Sequence, residues 1–183
     1  MIEPLELPKV FTAEECRLIV ADSPGCRFAD AAMVGGVRAD ATRRSRVCWL
    51  DEEVEADWAF RRMLETIAES NRNHFNFVIE DYAERMQLAW YVAEHRGRFD
   101  WHIDYGSGPI ARRRKLTMVV QLSESKSYAG GHLQTNADGV VRRASRRIGS
   151  ALLMPSFMLH RVTPVRVGER YSLTLWCHGP PFR

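Results

Sequence analysis

The sequence predicts a mainly β fold with N-terminal helices, built on a double-sheet jelly roll. Two observations carry this. Two amphipathic helical segments lie in the first part of the chain, and about eight short, alternating β segments separated by turn residues follow. At 183 residues the chain has room for one sizeable core and too little for two ordinary domains. The expected organisation is therefore a single domain over 1–183. Residues 1–85 form a helical support region with leading strands, and 86–183 the jelly-roll core.

The elements follow in order. Phe11-Thr12-Ala13-Glu14-Glu15 reads as a helix start: Thr12 caps, Glu15 is its capping-box partner, and Phe11 staples onto Cys16. A second helix is predicted over 57–71, where Phe60, Met63, Leu64 and Ile67 fall at half-buried helical spacing. Strands are predicted over 87–92, 99–104, 116–122, 132–135, 140–142, 150–154, 161–164 and 171–176. Gly106-Ser107-Gly108-Pro109, Gly130-Gly131, Ala137-Asp138-Gly139 and Val167-Gly168-Glu169 punctuate them. An immunoglobulin-like sandwich competes for the strands but leaves the helices unexplained.

Composition excludes several classes. No apolar run approaches the ~20 residues of a membrane span. Residues 1–10 carry Glu3 and Glu6 and no signal pattern. Cys16, Cys26, Cys48 and Cys177 are scattered, which argues against a disulfide framework or zinc ribbon and for a reducing cytoplasm. The net charge of +3 is mild.

Candidate chemistry lies in the strands. In Trp101-His102-Ile103-Asp104, strand alternation sends His102 and Asp104 to one side. With His160 they make two imidazoles and one carboxylate, a donor set that holds Fe(II) and leaves coordination positions open. Arg170 and Ser172 share a face of the strand that follows His160. H-x-D alone is weak, and R-x-S recurs at Arg43-Arg44-Ser45 and Arg143-Ala144-Ser145. Only the ordered conjunction is informative.

These motifs continue in Tyr91, Phe99-Asp100, Lys115-Leu116-Thr117, Tyr128-Ala129-Gly130-Gly131-His132-Leu133 and Met154-Pro155-Ser156. They end in Leu159 to Val165 and in Gly168-Glu169-Arg170-Tyr171-Ser172-Leu173 with Trp176. Together they resemble the Fe(II)- and 2-oxoglutarate-dependent oxygenases, in the small bacterial or phage-type, prolyl 4-hydroxylase-like branch; 43–50 and 71–77 resemble its N-terminal part. The resemblance implies a double-stranded β-helix (jelly-roll, cupin-like) core. It implies Fe(II) held by His102, Asp104 and His160, with 2-oxoglutarate and O₂ as co-substrates and ascorbate as reductant. Arg170 and Ser172 would take the far carboxylate of 2-oxoglutarate, and Tyr91 would add a hydrogen bond. Related halogenases have a small residue at the carboxylate position, so Asp104 points to hydroxylation, with 2-oxoglutarate leaving as succinate and CO₂. The branch acts on protein prolines, free amino acids and other small molecules. Where the family usually has an acidic residue after the paired glycines, this chain has His132, which reads as a strand-surface or substrate-pocket histidine or, as the alternative, a fourth metal ligand.

His74, His95 and His178 read as ordinary histidines. Trp49, Trp58, Trp90, Trp101 and Trp176 read as core or pocket wall, with Trp101 turned from the metal. The runs Arg112-Arg113-Arg114-Lys115, Arg142-Arg143 with Arg146-Arg147, and Arg43-Arg44 with Arg46 are either solvated surface or recognition elements for an anionic partner. The second reading sets the 105–114 loop over the site mouth, and 27–44 with 105–114 as specificity loops. A peptide or small molecule is the expected substrate. Two alternatives are a cupin-type metal dioxygenase without 2-oxoglutarate, which leaves Arg170 and Ser172 idle, and a basic nucleic-acid-binding module. The second lacks any nucleic-acid fold signature.

Overall fold

Polar and apolar residues alternate along the strands, and this sorts the fold into two sheets with different cores. The computed structural model describes residues 2–21, 28–30, 42–50 and 57–182. In chain order the elements are β1 (Leu5–Leu7), α1 (Ala13–Ala21), β2 (Ala29–Asp30), β3 (Arg43–Arg44), β4 (Arg46–Leu50) and α2 (Asp57–Ser70), then β5 (Met86–Val92), β6 (Arg98–His102) and β7 (Arg114–Gln121). The chain continues through β8 (Ala129–Gly130), β9 (Leu133–Asn136), β10 (Val141–Arg143), β11 (Ala151–Pro155), β12 (Leu159–Val162), β13 (Val165–Val167) and β14 (Glu169–His178).

The large sheet runs β1-β11-β7-β14-β5-β4-β2 and the small one β10-β9-β12-β6-β3, with β13-β8 as a separate ribbon. The eight predicted strands are β5, β6, β7, β9, β10, β11, β12 and β14, and they divide equally between the two sheets. This is the double-stranded β-helix. The leading strands β1, β3 and β4 extend both sheets.

Each central strand serves two cores. On β14, Leu173, Leu175 and Cys177 join Leu116, Met118 and Val120 of β7 in an apolar layer against the helices. Met63 and Ile67 of α2 are fully buried there, with Phe60 and Leu64 packed against the layer, as the helical spacing predicts. The opposite faces, with Ala89, Tyr91, Val119, Leu133, Met154 and Val162, make a second core between the sheets.

The cap of α1 forms as predicted. Thr12 N–H donates to Glu15 Oε2 at 2.8 Å, and Glu15 N–H to Thr12 Oγ1 at 3.2 Å. α2 stops at Ser70 and runs into a π-helical turn, Asn71–Phe75, closed by Asn76 in the left-handed region at φ 55°.

Several expectations shift. Strand β6 ends at His102, so Asp104 stands in the turn beyond it. Arg114 and Lys115 belong to β7 and are buried. Cys48 is disulfide-bonded, although the scattered cysteines argue against a disulfide framework, because spacing along the chain does not report proximity in the fold. Cys16 and Cys177 are free and buried. Most of the proposed 27–44 specificity loop lies outside the described residues. Among the described residues no helix is long and apolar enough to cross a membrane.

Candidate active site

Strand register builds the metal-type site. β12 pairs antiparallel with β6 so that His160 lies directly opposite His102. Their rings project to one face, with centroids 4.1 Å apart. The chain then turns, and Asp104 and Tyr105 both donate their N–H to Ser156 O, at 2.8 and 2.9 Å. That turn returns the Asp104 carboxylate to the two imidazoles. Asp104 Oδ1 is 3.6 Å from His102 Nε2, and Oδ2 is 3.6 Å from His160 Nε2. One ligand atom from each residue lies within 4.8 Å of the others.

The surroundings orient all three for a cation. His102 Nδ1 bonds the Asp100 carbonyl at 2.7 Å, and His160 Nδ1 the Met158 carbonyl at 2.9 Å. A carbonyl can only accept, so each Nδ1 carries the proton and each Nε2 turns a lone pair inward. Asp104 Oδ2 accepts from Thr117 Oγ1 at 2.9 Å and from Trp176 Nε1 at 3.1 Å. Ser156 Oγ lies 3.0 Å from Thr117 Oγ1 and must donate, since the threonine proton goes to Asp104. Among the described residues no donor falls on Oδ1. Burial, reinforced by His160, drives the His102 pKa well below its usual 6.5. Burial alone would raise the Asp104 pKa, but the two histidines when protonated, Arg114 and the Trp176 N–H outweigh it and lower it. Two neutral imidazoles and one carboxylate fit Fe(II).

A cavity of about 360 Å³ opens onto this triad, within the usual range for a ligand site. Ser172, Thr174 and Trp176 line it from alternate positions of β14, and Gln87, Ala89 and Tyr91 from alternate positions of β5. Arg170, at the end of the same polar stripe, is fully buried. Its Nε and Nη2 donate to Gln121 Oε1 at 3.2 and 3.0 Å, and its Nη1 to Ser172 Oγ at 3.3 Å. Its Cζ lies 5.2 Å from the centre of the Tyr91 ring, directly across the β14–β5 register. All these partners are neutral. Among the described residues no carboxylate pairs with Arg170, so its permanent charge is buried without a counter-ion there. Gly131 makes room for it: a Cβ there would sit 3.0 Å from Arg170 Cδ, at φ +59°.

The structure places His102, Asp104, His160, Tyr91 and Ser172 on the cavity wall, sets Arg170 against Ser172 and Tyr91 without lining the cavity itself, and leaves His132 out. His132 does not line the cavity. Its N–H donates to Thr163 Oγ1 at 2.9 Å, and burial together with nearby arginines lowers its pKa. Trp101 also stays out of the cavity, under the Arg161 guanidinium at 4.5 Å. Most of the arginine runs are engaged. Arg113 pairs with Glu80 and Asp81, Arg114 with Glu84, Arg142 with Asp138, and Lys115 lies over the Phe182 ring. The 105–114 loop reaches the cavity through Tyr105 and Gly106, while Arg113 faces acids of its own chain. Thr117 and Trp176, the two donors to Asp104, are marked in the sequence as members of the family-like motifs, with Trp176 read as core or pocket wall, but nothing there marks them as partners of Asp104. Arg43 also lines the cavity; the sequence marks it only as one of a run that is either solvated surface or an anion-recognition element.

Comparison with known proteins agrees with this geometry. Residues 86–178 match the 2OG-Fe(II) oxygenase superfamily. A PKHD-type hydroxylase of Hyphomonas neptunium is 29% identical over 156 residues, covering 82% of this chain and 66% of that protein. The chain thus spans about two thirds of that relative's length. The fold is similar to that of a Pseudomonas putida prolyl-4-hydroxylase, with a TM-score of 0.76 and 20% identity over 97% of this chain and 92% of that one. It is also similar to a Trichoplax adhaerens prolyl hydroxylase solved with a hypoxia inducible factor peptide fragment, with a TM-score of 0.78 and 18% identity over 96% and 83%. With half its length matched and the same double-stranded β-helix, the chain belongs to the 2OG-Fe(II) oxygenase superfamily, whose chemistry uses Fe(II), 2-oxoglutarate and O₂.

Proposed function

We propose that this chain is an Fe(II)- and 2-oxoglutarate-dependent hydroxylase in which His102, Asp104 and His160 hold the metal. Arg170 and Ser172 take the far carboxylate of 2-oxoglutarate, and Tyr91 helps to seat it. The observation that carries the reading is the buried Arg170, without a carboxylate partner among the described residues, beside a cavity whose wall holds the two-histidine, one-carboxylate set. Bound Fe(II) with 2-oxoglutarate and O₂ supplies the oxidising chemistry, releasing succinate and CO₂. The protein's part is orientation. Backbone carbonyls fix both histidine tautomers, Thr117 and Trp176 aim Asp104, and the Arg170 fork sets the direction of the co-substrate. Asp104 occupies the position that a halide would need, which supports hydroxylation. The pairing of Leu5 with Leu153 ties the start of the chain to the core and supports one catalytic unit over 1–183. The substrate in this reading is a peptide or a small molecule.

Succinate release from the purified protein with Fe(II), ascorbate and 2-oxoglutarate tests the reading. The wild type should release succinate slowly without any substrate, and His102→Ala and Asp104→Ala should release none. Turnover retained in either variant sinks the metal assignment. Arg170→Met should raise the 2-oxoglutarate concentration for half-saturation by about 30-fold or more, the ~2 kcal/mol of a lost buried charge pair. Fe(II) affinity should barely change. Equal loss of both would mean damage to the fold.

A further inference from the structure

Beside Arg114, which Glu84 neutralises, one more buried cation lines the cavity among the described residues, and 2-oxoglutarate does not account for it. Arg43, on β3 at the edge of the small sheet, is 9% exposed and lines the cavity wall. It lies opposite Phe99 in the β3–β6 register, with its guanidinium 4.5 Å over the Phe99 ring. Phe99 in turn stacks on His102 at 3.4 Å and 11°. The cation is thus no more than about 8 Å from the His102 ring. Its Nε donates to Ser45 Oγ and its Nη2 to Gln87 Oε1, both at 2.8 Å. Both partners are neutral, Nη1 has no hydrogen-bond partner among the described residues, and no carboxylate there pairs with the group. The two carboxylates lining the cavity are committed elsewhere, Asp104 to its own donors and Glu84 to Arg114.

A permanent charge taken out of water costs several kcal/mol unless an anion meets it. Arg170 is met by the co-substrate in the reading above, and Arg43 is left for the molecule being oxidised. We propose that Arg43 is the specificity-determining residue of this site and binds the carboxylate of an amino-acid-sized substrate. The enzyme then hydroxylates a small free acid rather than a residue inside a peptide. The planar fork suits a carboxylate. The neighbouring Phe99, Leu133 and Val162 offer apolar wall to the carbon that is oxidised. This inference rests on the proposed function.

The test supplies the Fe(II)-loaded protein and 2-oxoglutarate with the twenty free L-amino acids and, separately, their carboxamides. Succinate release is read against each protein's own rate without substrate. In the wild type at least one acid should stimulate about tenfold more than its amide, the factor expected when an ionic hydrogen bond is lost. Arg43→Gln should bring that acid and its amide to within about twofold, and Arg43→Lys, which keeps the charge, should retain part of the preference. The inference is overturned if no acid exceeds its amide in the wild type, a result that does not depend on any variant folding. It is equally overturned if Arg43→Gln keeps the preference. Metal-dependent succinate release without acid preference removes this inference alone. No succinate from the wild type under any condition removes the hydroxylase reading as well.

Discussion

At the scale of single residues, Asp104 shows how a metal-type ligand is made. Its usefulness comes from Thr117 and Trp176, which both donate to Oδ2 and leave Oδ1 without a donor among the described residues. Supporting hydrogen bonds of this kind typically set ~10–100-fold of metal affinity. Trp176→Phe, which keeps the ring but loses the N–H, should weaken Fe(II) binding by about that factor while thermal stability falls little. A metal titration reads the effect directly, and an unchanged affinity would mean that Thr117 orients the carboxylate alone. The H-x-D pair was legible because the spacing is short. Its partners were not, because Trp176 meets Asp104 only through the packing of β14 against the turn after β6.

At the scale of elements, β14 shows why pattern reading found so much. Arg170, Ser172, Thr174 and Trp176 alternate with Leu173, Leu175 and Cys177, so one strand supplies both a site wall and a helix-facing core. The capping box of α1 and the apolar face of α2 were equally local signals, and both formed. Strand β6 is shorter than its alternation predicts, since a turn held by Ser156 O ends it two residues before Asp104. The paired glycines have a site-level consequence. Gly131→Ala places a methyl 3.0 Å from Arg170 Cδ and from Val165 Cγ2 in a left-handed conformation, a strain of ~1–2 kcal/mol. It should raise the half-saturating 2-oxoglutarate concentration several-fold with Fe(II) affinity unchanged. Steady-state kinetics beside a metal titration distinguish this from general destabilisation, which would weaken the binding of both 2-oxoglutarate and Fe(II).

At the scale of the molecule, one buried polar network joins three neighbouring strands of the large sheet that lie far apart along the chain. Glu84, just before β5, pairs with Arg114 of β7, and His178 Nε2 at the end of β14 reaches Glu84 Oε2 at 3.0 Å. Ala83 N–H donates to His178 Nδ1 at 3.2 Å, so the Nε2 proton is the one given to Glu84. Arg114 Nη1 also holds the Asp104 carbonyl at 3.0 Å, which links the network to the site. Glu84→Gln leaves the Arg114 charge buried without its counter-ion and should cost about 3–5 kcal/mol in denaturant unfolding. Burial alone would raise the Glu84 pKa, yet His178 and Arg114 hold it below its usual 4.5. A carboxyl lowered on folding stabilises above its unfolded pKa. That contribution is complete above about pH 4.5 and is lost as pH falls from there through the lower folded value. Wild-type stability should therefore drop in that acid range, and Glu84→Gln should show a shallower drop; identical slopes would remove Glu84 from the acid response.

Strand identity, the helix cap, the two-faced strands and the order of His102, Asp104, His160, Arg170 and Ser172 were determined by the sequence itself. Those signals depend on neighbours a few residues apart, where strand and helix periods hold. The tertiary structure alone decided three things: Thr117 and Trp176 aim Asp104, Arg113 and Arg114 are spent on acids of their own chain, and Arg43 leaves a surface run to become a buried cation at the cavity. The physical reason is register. Pairing β3 and β12 with β6, and β14 with β5 and β7, joins residues far apart along the chain, and that pairing settles which buried charges are met and which have no counter-ion among the described residues.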